Sequence, residues 1–284
     1  MDTPRINVKV KDRLFLKIFG EENKDNLLCL FNALNGTDYT DPEDLELYTI
    51  EDVIYMNMKN DVSCMVDSHL QLYEHQSTFN PNMPLRGFMY FSRMFERYKT
   101  KASLNIYSSK LQKIPTPQFY VFYNGNEEAP DRLDLKLSDA FIHPVRTGTF
   151  EWTAVMLNIN AGHNKELFDK CKPLYEYSVF VDKVKKGIAE GKPKEEAINE
   201  AVQWCITHDV MAEYLKIHKA EVTDMMLTEY NEEQTMNSFY AEGKAEGMAE
   251  GRAEERKQLL DKIFSLGLSS DVMNKIQSGI GLSV

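Results

Sequence analysis

The sequence predicts an α/β fold, a sheet with helices packed on it, followed by an all-helical C-terminal region. Over the first 160 residues, runs rich in Val, Ile, Tyr and Met alternate with helical patterns. Residues 163–230 hold only helical patterns, and a charged repeat with glycine at every fourth position follows. We therefore predict three parts: residues 1–160, a helical extension over 161–230, and a helical tail over 231–284.

The first part begins with a helix and continues into strands. Residues 12–34 show helical spacing of apolar side chains, and Gly36 is a residue type that ends helices. The strand-like runs that follow are residues 47–58, 61–66, 69–76, 117–123 and 151–158. Between the third and fourth runs, residues 85–99 predict a helix. We expect its apolar face to consist of Leu85, Phe88, Met89, Phe95 and Tyr98.

The tail repeats the unit Ala241-Glu242-Gly243-Lys244 twice more with small changes. Glycine costs about 1 kcal/mol against alanine in a helix, so a helix here is weak by itself. A close-packed partner helix would explain the glycine stripe, and a flexible charged linker is the alternative. Apolar residues follow at Leu259, Leu260, Ile263, Phe264 and Leu266. They predict a terminal amphipathic helix and a homo-oligomer assembled through the C-terminal region.

The composition predicts a protein of the cytoplasm with no membrane partner. The sequence has no apolar run of about 18 residues, the minimum for a membrane-spanning helix. Its first residues lack the apolar stretch of a signal peptide. The four cysteines, which include no CxxC pair, have apolar flanks. We interpret them as reduced core residues, and we expect no zinc site.

The charge distribution bears on nucleic-acid binding. A net charge of −11 disfavours a polyanionic partner. Between residues 76 and 118, however, seven basic residues accompany a single acidic one. Arg86, Arg93 and Arg97 lie on one face of the predicted helix, which makes them candidates for binding DNA phosphates. A solvated helix face is the alternative interpretation.

The residues with a chemical role lie in a predicted hairpin. If Asp67-Ser68 forms a two-residue turn, Val66 faces His69, and five steps further Asp61 lies opposite Glu74. Directly opposed residues of antiparallel strands have Cβ atoms about 4.5–5.5 Å apart, and two carboxylates there repel unless a cation lies between them. Gln76 shares the face of Glu74.

A hard divalent cation suits this pair of carboxylates. Mg²⁺ prefers oxygen ligands and is usually held by one or two carboxylates, and Mn²⁺ is a second candidate. The backbone carbonyl of His75 is a further candidate ligand, whereas its imidazole points to the opposite face, where we expect a structural role. The alternative is that Asp61 and Glu74 face solvent without a metal.

The motif extends beyond the hairpin. Residues 61–67, the string Glu74-His75-Gln76-Ser77-Thr78 and the string Asn80-Pro81-Asn82-Met83-Pro84-Leu85-Arg86 resemble the Rpn-type recombination-promoting nucleases and transposase-like proteins, within the PD-(D/E)xK superfamily. The opening Asp12-Arg13-Leu14-Phe15 and the Glu-Gly tail repeat also resemble this family. The resemblance covers the first 160 residues well and the remainder loosely.

The resemblance implies a four-stranded mixed sheet flanked by helices, and Mg²⁺-dependent DNA cleavage associated with recombination and mobile elements. Asp61 matches the first motif acid and Glu74 the second. Gln76 stands where the superfamily usually has lysine, and a neutral amide can only orient water or a phosphate oxygen. Superfamily sites often add an acid from the first helix, and Asp12 is our first candidate.

Two functions from different classes remain open. The first is a metal-dependent DNA endonuclease with low sequence specificity, because phosphate contacts do not distinguish sequences. The second is a catalytically inactive nuclease fold that acts as a protein-interaction or assembly module. The acidic net charge and the missing lysine favour the second function, and the intact Asp61 and Glu74 favour the first.

Overall fold

The computed structural model of the chain describes residues 14–48, 61–143 and 150–265. Contacts divide the chain into two compact units, Met1–Tyr230 and Asn231–Val284. The first unit thus contains both the sheet and the helices up to Tyr230, and the division expected at residue 160 stays a prediction. Among the described residues, no helix combines the length and apolarity needed to cross a membrane.

The described elements alternate between helices and strands before the chain becomes helical. The strands are β1 (Glu46–Leu47), β2 (Asp61–Val66), β3 (His69–Gln76), β4 (Thr116–Tyr123), β5 (Arg132–Lys136) and β6 (Thr153–Asn158). The α-helices are α1 (Leu14–Phe19), α2 (Lys24–Asn35), α3 (Met83–Lys101), α4 (Lys165–Lys170), α5 (Lys172–Ala189), α6 (Lys194–Thr207) and α7 (Ala212–Ser265). Most of the strand predicted over 47–58 lies outside the described residues.

The strands form one six-stranded mixed sheet in the order β1-β2-β3-β4-β6-β5. The pairs β1–β2, β2–β3 and β5–β6 are antiparallel, and the pairs β3–β4 and β4–β6 are parallel. Helix α3 connects the parallel neighbours β3 and β4, as a parallel pair requires a crossover. The predicted α/β class is therefore confirmed.

Strand β5 was absent from the sequence-based prediction. It is only five residues long, its side chains alternate between exposed and half-buried, and three of the five are charged. Among the described strands it lies at the edge of the sheet, beside β6 alone. Charged side chains are typical of edge strands because they discourage pairing with another chain.

The hairpin register is as predicted. Asp67 and Ser68 have positive φ values of 42° and 63°, which belong to a type I′ turn. Val66 pairs with His69, and Asp61 pairs with Glu74. Because both turn residues adopt the left-handed conformation, the turn matches the twist of the flanking strands and determines the register.

Each face of the sheet has its own apolar core. On one face, Phe15 of α1 contacts Phe122 and Tyr177 at ring-centroid distances of 5.4 and 5.7 Å. Helices α2, α5, α6 and the beginning of α7 contribute to the same core. On the other face, α3 packs Phe91 and Met94 into a second core. The sheet is thereby enclosed between helices within the first unit.

Helix α3 buries a different face from the predicted one. Leu85, Phe88 and Met89, expected in the core, are exposed, and Phe95 and Tyr98 are only partly buried. The buried residues are Met83, Pro84, Gly87, Tyr90, Phe91 and Met94. The physical reason is the glycine: a Cβ at Gly87 would lie 2.4 Å from the Phe119 ring, so only this side of the helix can approach β4 so closely.

The C-terminal half of the described chain contains four helices, α4 to α7, with breaks between them. Pro173 lies in the first turn of α5, where its missing N–H does no harm. Gly191 follows the end of α5 with a φ of 87°. Helix α7 includes the glycine repeat and is interrupted by a non-helical residue at His218. Residues 266–284, which include the predicted Leu266, lie outside the described residues.

Candidate active site

Strands β2 and β3 bring the two motif acids to opposite positions. Asp61 begins β2, and its Cα partner is Glu74, near the end of β3. The side chain of Asp61 and all of Asp12 lie outside the described parts of the structure. The local reason for this pairing is the tight turn at residues 67 and 68, since each step away from it adds one residue to both strands.

Glu74 is a buried carboxylate with two nitrogen donors on one oxygen. It is 3% exposed and belongs to the face that α3 covers. The Nη2 atom of Arg86 donates to Glu74 Oε1 at 2.7 Å. The Nε2 atom of Gln76 donates to the same oxygen at 2.8 Å. A buried carboxylate is stable only beside a positive charge or several donors, and these two residues provide both.

The start of α3 positions Arg86. The chain leaves β3 at Gln76 and crosses a short loop, and α3 begins at Met83 with a proline in its first turn. The backbone N–H of Arg86 donates to the Asn82 carbonyl. The Arg86 side chain is about one-third exposed, whereas that of Glu74 is buried. Sequence reasoning assigned Arg86 to phosphate binding and missed this ion pair.

His75 points to the opposite face of the sheet, as predicted. Its Nε2 atom lies 3.0 Å from the hydroxyl of Tyr177 in α5, and its Nδ1 atom lies 3.5 Å from Oε1 of Glu229 in α7. The imidazole stacks on the Phe15 ring with centroids 5.4 Å apart. The buried imidazole therefore links β3 to the helices behind it, and its structural role stays a prediction.

The other two arginines predicted to bind phosphate, Arg93 and Arg97, have different surroundings from Arg86. Arg93 is exposed on α3. The guanidinium of Arg97 lies over the Tyr48 ring, 5.2 Å from its centroid, which is a cation–π arrangement. Lys101, from the same basic segment, pairs with Glu46 of β1. Among the side chains that the structure describes, Arg86 contacts a motif residue, Glu74.

A metal site of three or more side chains is not formed by the described residues alone. Within them, no group of three His, Cys, Asp or Glu side chains is arranged to hold a metal ion. The proposed ligands differ from such a group because they include a backbone carbonyl, the carboxylate of Asp61 and that of Asp12. The described part of the donor set is Glu74, whose hard oxygen atoms suit Mg²⁺ or Mn²⁺.

The four cysteines are all free, as predicted, but two of them are neighbours in space. Cys29 is partly exposed, and its Sγ atom lies 3.7 Å from the carbonyl oxygen of Lys170. A hydrogen bond with the Cys171 thiol lowers the pKa of Cys29 to about 7. The same hydrogen bond, together with burial, raises the pKa of Cys171. Their separation along the chain concealed this pair from the sequence analysis.

Comparisons with known proteins identify no relative. The chain matches no protein-family model, no curated protein and no solved structure.

Proposed function

We propose that this protein is a metal-dependent DNA endonuclease that cleaves phosphodiester bonds with low sequence specificity, in a role associated with recombination or mobile elements. The observation that supports it most directly is the pairing of Asp61 with Glu74 at adjacent strand positions. The contacts of Gln76 and Arg86 with Glu74 add a polar cluster around one buried carboxylate. A carboxylate with an amide and a guanidinium beside it, together with the second acid that Asp61 would add, suits phosphodiester hydrolysis.

We further propose that the fold belongs to the PD-(D/E)xK superfamily and to its Rpn-type branch. The mixed character of the sheet and the helices on its two faces agree with what the sequence resemblance implies, but the sheet has six strands rather than the expected four. The two motif acids and Gln76 occupy neighbouring positions on β2 and β3, as the motif requires.

Asp61 and Glu74 would hold Mg²⁺ or Mn²⁺, with the His75 backbone carbonyl and Asp12 as further proposed ligands. When bound, such an ion polarises a phosphoryl oxygen and lowers the pKa of a bound water. Gln76 donates to Glu74 through its amide N–H. Its amide oxygen is the group that can accept a hydrogen bond from the attacking water.

Arg86 has two roles in this proposal. In the structure it neutralises the buried carboxylate of Glu74. Its partial exposure lets the guanidinium turn toward a phosphate oxygen of bound DNA, a bidentate contact for which arginine is well suited. Arg93 and Arg97 extend the basic surface along α3, where they would contact phosphates further from the cleaved bond.

The alternative function is an interaction or assembly module on an inactive nuclease fold. The observation that favours it is the closed arrangement at Glu74, where an arginine rather than lysine supplies the positive charge and Gln76 replaces the usual lysine. Under this alternative the helical C-terminal region would bind a partner or a second copy of the chain.

Plasmid nicking by the purified full-length chain in Mg²⁺ or Mn²⁺ distinguishes the two functions. We expect cleavage by the wild type and background activity from Asp61→Ala and Glu74→Ala. The matched control is Glu213→Ala, an exposed acid in the first turn of α7, which should cleave like the wild type. Equal activity in all four proteins would identify a contaminant and refute the enzyme.

Assembly through the tail has its own test. Light scattering should give an oligomeric mass for the full chain and a lower mass for a chain ending after Asn231, which retains the first unit. Identical assembly states for both chains would contradict the proposed tail-mediated oligomer. The expected cytoplasmic location stays a prediction.

A further inference from the structure

Two cysteines from distant parts of the sequence are neighbours in the first unit. Cys29 lies in the middle of α2, and Cys171 immediately precedes α5. The Cys171 thiol donates a hydrogen bond to the Cys29 sulfur. The sulfur atoms of a disulfide are about 2.05 Å apart, so two thiols in hydrogen-bond contact need only a short movement to form one.

The two thiols differ in exposure and in acidity. Cys29 is partly exposed, whereas Cys171 is buried. The pKa of Cys29 is lowered to about 7, and the same hydrogen bond, together with burial, raises the pKa of Cys171. Because the thiolate is the reactive form of cysteine, an oxidant from solvent should react with Cys29 first. Cys171 keeps its proton and remains available for a second step.

The first turn of α5 stabilises a negative charge on Cys29. The backbone N–H of Lys172, the first residue of this 18-residue helix, donates to the Cys29 sulfur. An N–H in the first turn has no acceptor within its own helix, and the next residue, Pro173, has no N–H at all. A helix N-terminus also carries a partial positive charge, which favours a thiolate over a thiol. The thiol contact and the helix therefore act together on one sulfur atom.

We propose that Cys29 and Cys171 are a redox modification site, at which hydrogen peroxide produces a reversible disulfide. In the first step the Cys29 thiolate attacks a peroxide oxygen: the S–O bond forms, the O–O bond breaks, and the released hydroxide takes up a proton to become water. In the second step the Cys171 sulfur attacks the Cys29 sulfenic acid. The S–S bond forms, and the departing hydroxide takes the Cys171 proton as a second water. Two electrons thus pass from the two thiols to one peroxide, and a dithiol reductant returns them by thiol–disulfide exchange.

The other two cysteines provide an internal reference. Cys64 and Cys205 are buried, and burial raises the pKa of each to about 12. At neutral pH they are therefore thiols that are shielded from solvent and slow to react. Oxidation that is specific to the pair should leave both of them unchanged. The inference goes beyond the proposed nuclease function, since it involves neither the motif acids nor a metal.

Counting free thiols by intact mass spectrometry tests the proposal on the full chain. The reduced protein is treated with hydrogen peroxide at neutral pH, the peroxide is removed with catalase, and the remaining thiols are labelled with N-ethylmaleimide in denaturant. Wild type has four free cysteines and should carry only two labels after peroxide, with the peptides of Cys29 and Cys171 joined. Dithiothreitol before labelling should restore all four labels.

Single substitutions separate the two steps. In Cys171→Ala, oxidation should be slower and should stop at sulfenic acid on Cys29, which dimedone traps. In Cys29→Ala, every remaining thiol should still be labelled after peroxide. Cys205→Ala is the matched control: it removes a buried thiol outside the pair, so the Cys29–Cys171 disulfide should form as in wild type. The wild-type count needs no variant, so it decides the proposal even where a substitution disturbs folding.

Several results would overturn the inference. These are four labels on peroxide-treated wild type, an equal loss of label from Cys64 and Cys205, or sulfinic acid on Cys29 while Cys171 stays free. A disulfide between the Cys29 residues of two chains, seen on a non-reducing gel, would also overturn it, because Cys29 would then react as an exposed thiol and not as half of a pair. The experiment contains neither DNA nor metal, so its result is independent of plasmid nicking.

Discussion

The contact between Glu74 and Arg86 permits a quantitative prediction about stability. The Glu74 side chain is 4% exposed and that of Arg86 is 31% exposed. Removing one partner of a fully buried pair costs about 3–5 kcal/mol, because the remaining charge stays in a poorly solvated place. Water reaches the arginine side of this pair, which lowers the figure, so we expect Arg86→Met to reduce the free energy of unfolding by about 2 kcal/mol.

Removing the other partner of the pair, Glu74, should reduce the free energy of unfolding by less. In Glu74→Gln the carboxylate is gone, and the partly exposed guanidinium can turn to water, so the loss should be about 1 kcal/mol. The double variant should then lose less than the sum of the single variants, by about 1 kcal/mol. This asymmetry follows from which of the two partners is buried.

Urea unfolding in EDTA measures these values, provided that the slope of the transition is unchanged. Arg93→Met is the matched control, since it makes the same substitution at an exposed position of the same helix, and it should change stability by less than about 0.5 kcal/mol. Equal losses in Arg86→Met and Arg93→Met, or an additive double variant, would refute the reasoning. Added Mg²⁺ should stabilise Arg86→Met more than wild type, because the guanidinium no longer competes for Glu74.

Three further predictions concern other parts of the chain. Gly87→Ala should lower stability by about 1–3 kcal/mol in urea, since the new Cβ would lie 2.4 Å from the Phe119 ring, and an unchanged midpoint would contradict this packing. In Gly243→Ala the new Cβ would have no other heavy atom within 4 Å, so the substitution should increase the helical circular dichroism of the tail through a helix-propensity gain of about 1 kcal/mol. A loss of helical signal would show that the glycine is required. Alkylation of Cys29 should be half-maximal near pH 7, because the thiolate reacts and becomes populated as the pH rises through its lowered pKa, and Cys171→Ala, which removes the hydrogen-bond donor, should move that midpoint upward. Peptide mass spectrometry of Cys29 measures both midpoints, and identical values would contradict the thiol–thiol hydrogen bond.

The hairpin shows what the sequence could predict. Its turn, register and facing acids depend on residues close together in the chain, because the two-residue turn at Asp67 and Ser68 determines which residues of β2 and β3 pair. The contact of Gln76 with Glu74 follows from the two-residue period of a strand.

Helix α3 shows what the sequence could not predict. Its apolar residues are distributed around most of the helix, so hydrophobicity alone does not choose the buried side. The choice depends on the fit of Gly87 against Phe119, a contact between elements that no local pattern reveals. The Arg86–Glu74 ion pair was missed because it depends on the path of the loop between β3 and α3.

The contact between the His75 imidazole and Glu229 limits where the chain can be truncated. Glu229, which contacts His75, precedes the last residue of the first unit by a single position. A deletion that begins before it removes a support from the strand bearing Glu74 and Gln76. Loss of nicking in such a fragment would reflect the loss of the contact between Glu229 and His75. A chain that ends after Asn231 keeps this contact, and its activity therefore shows what the glycine repeat contributes.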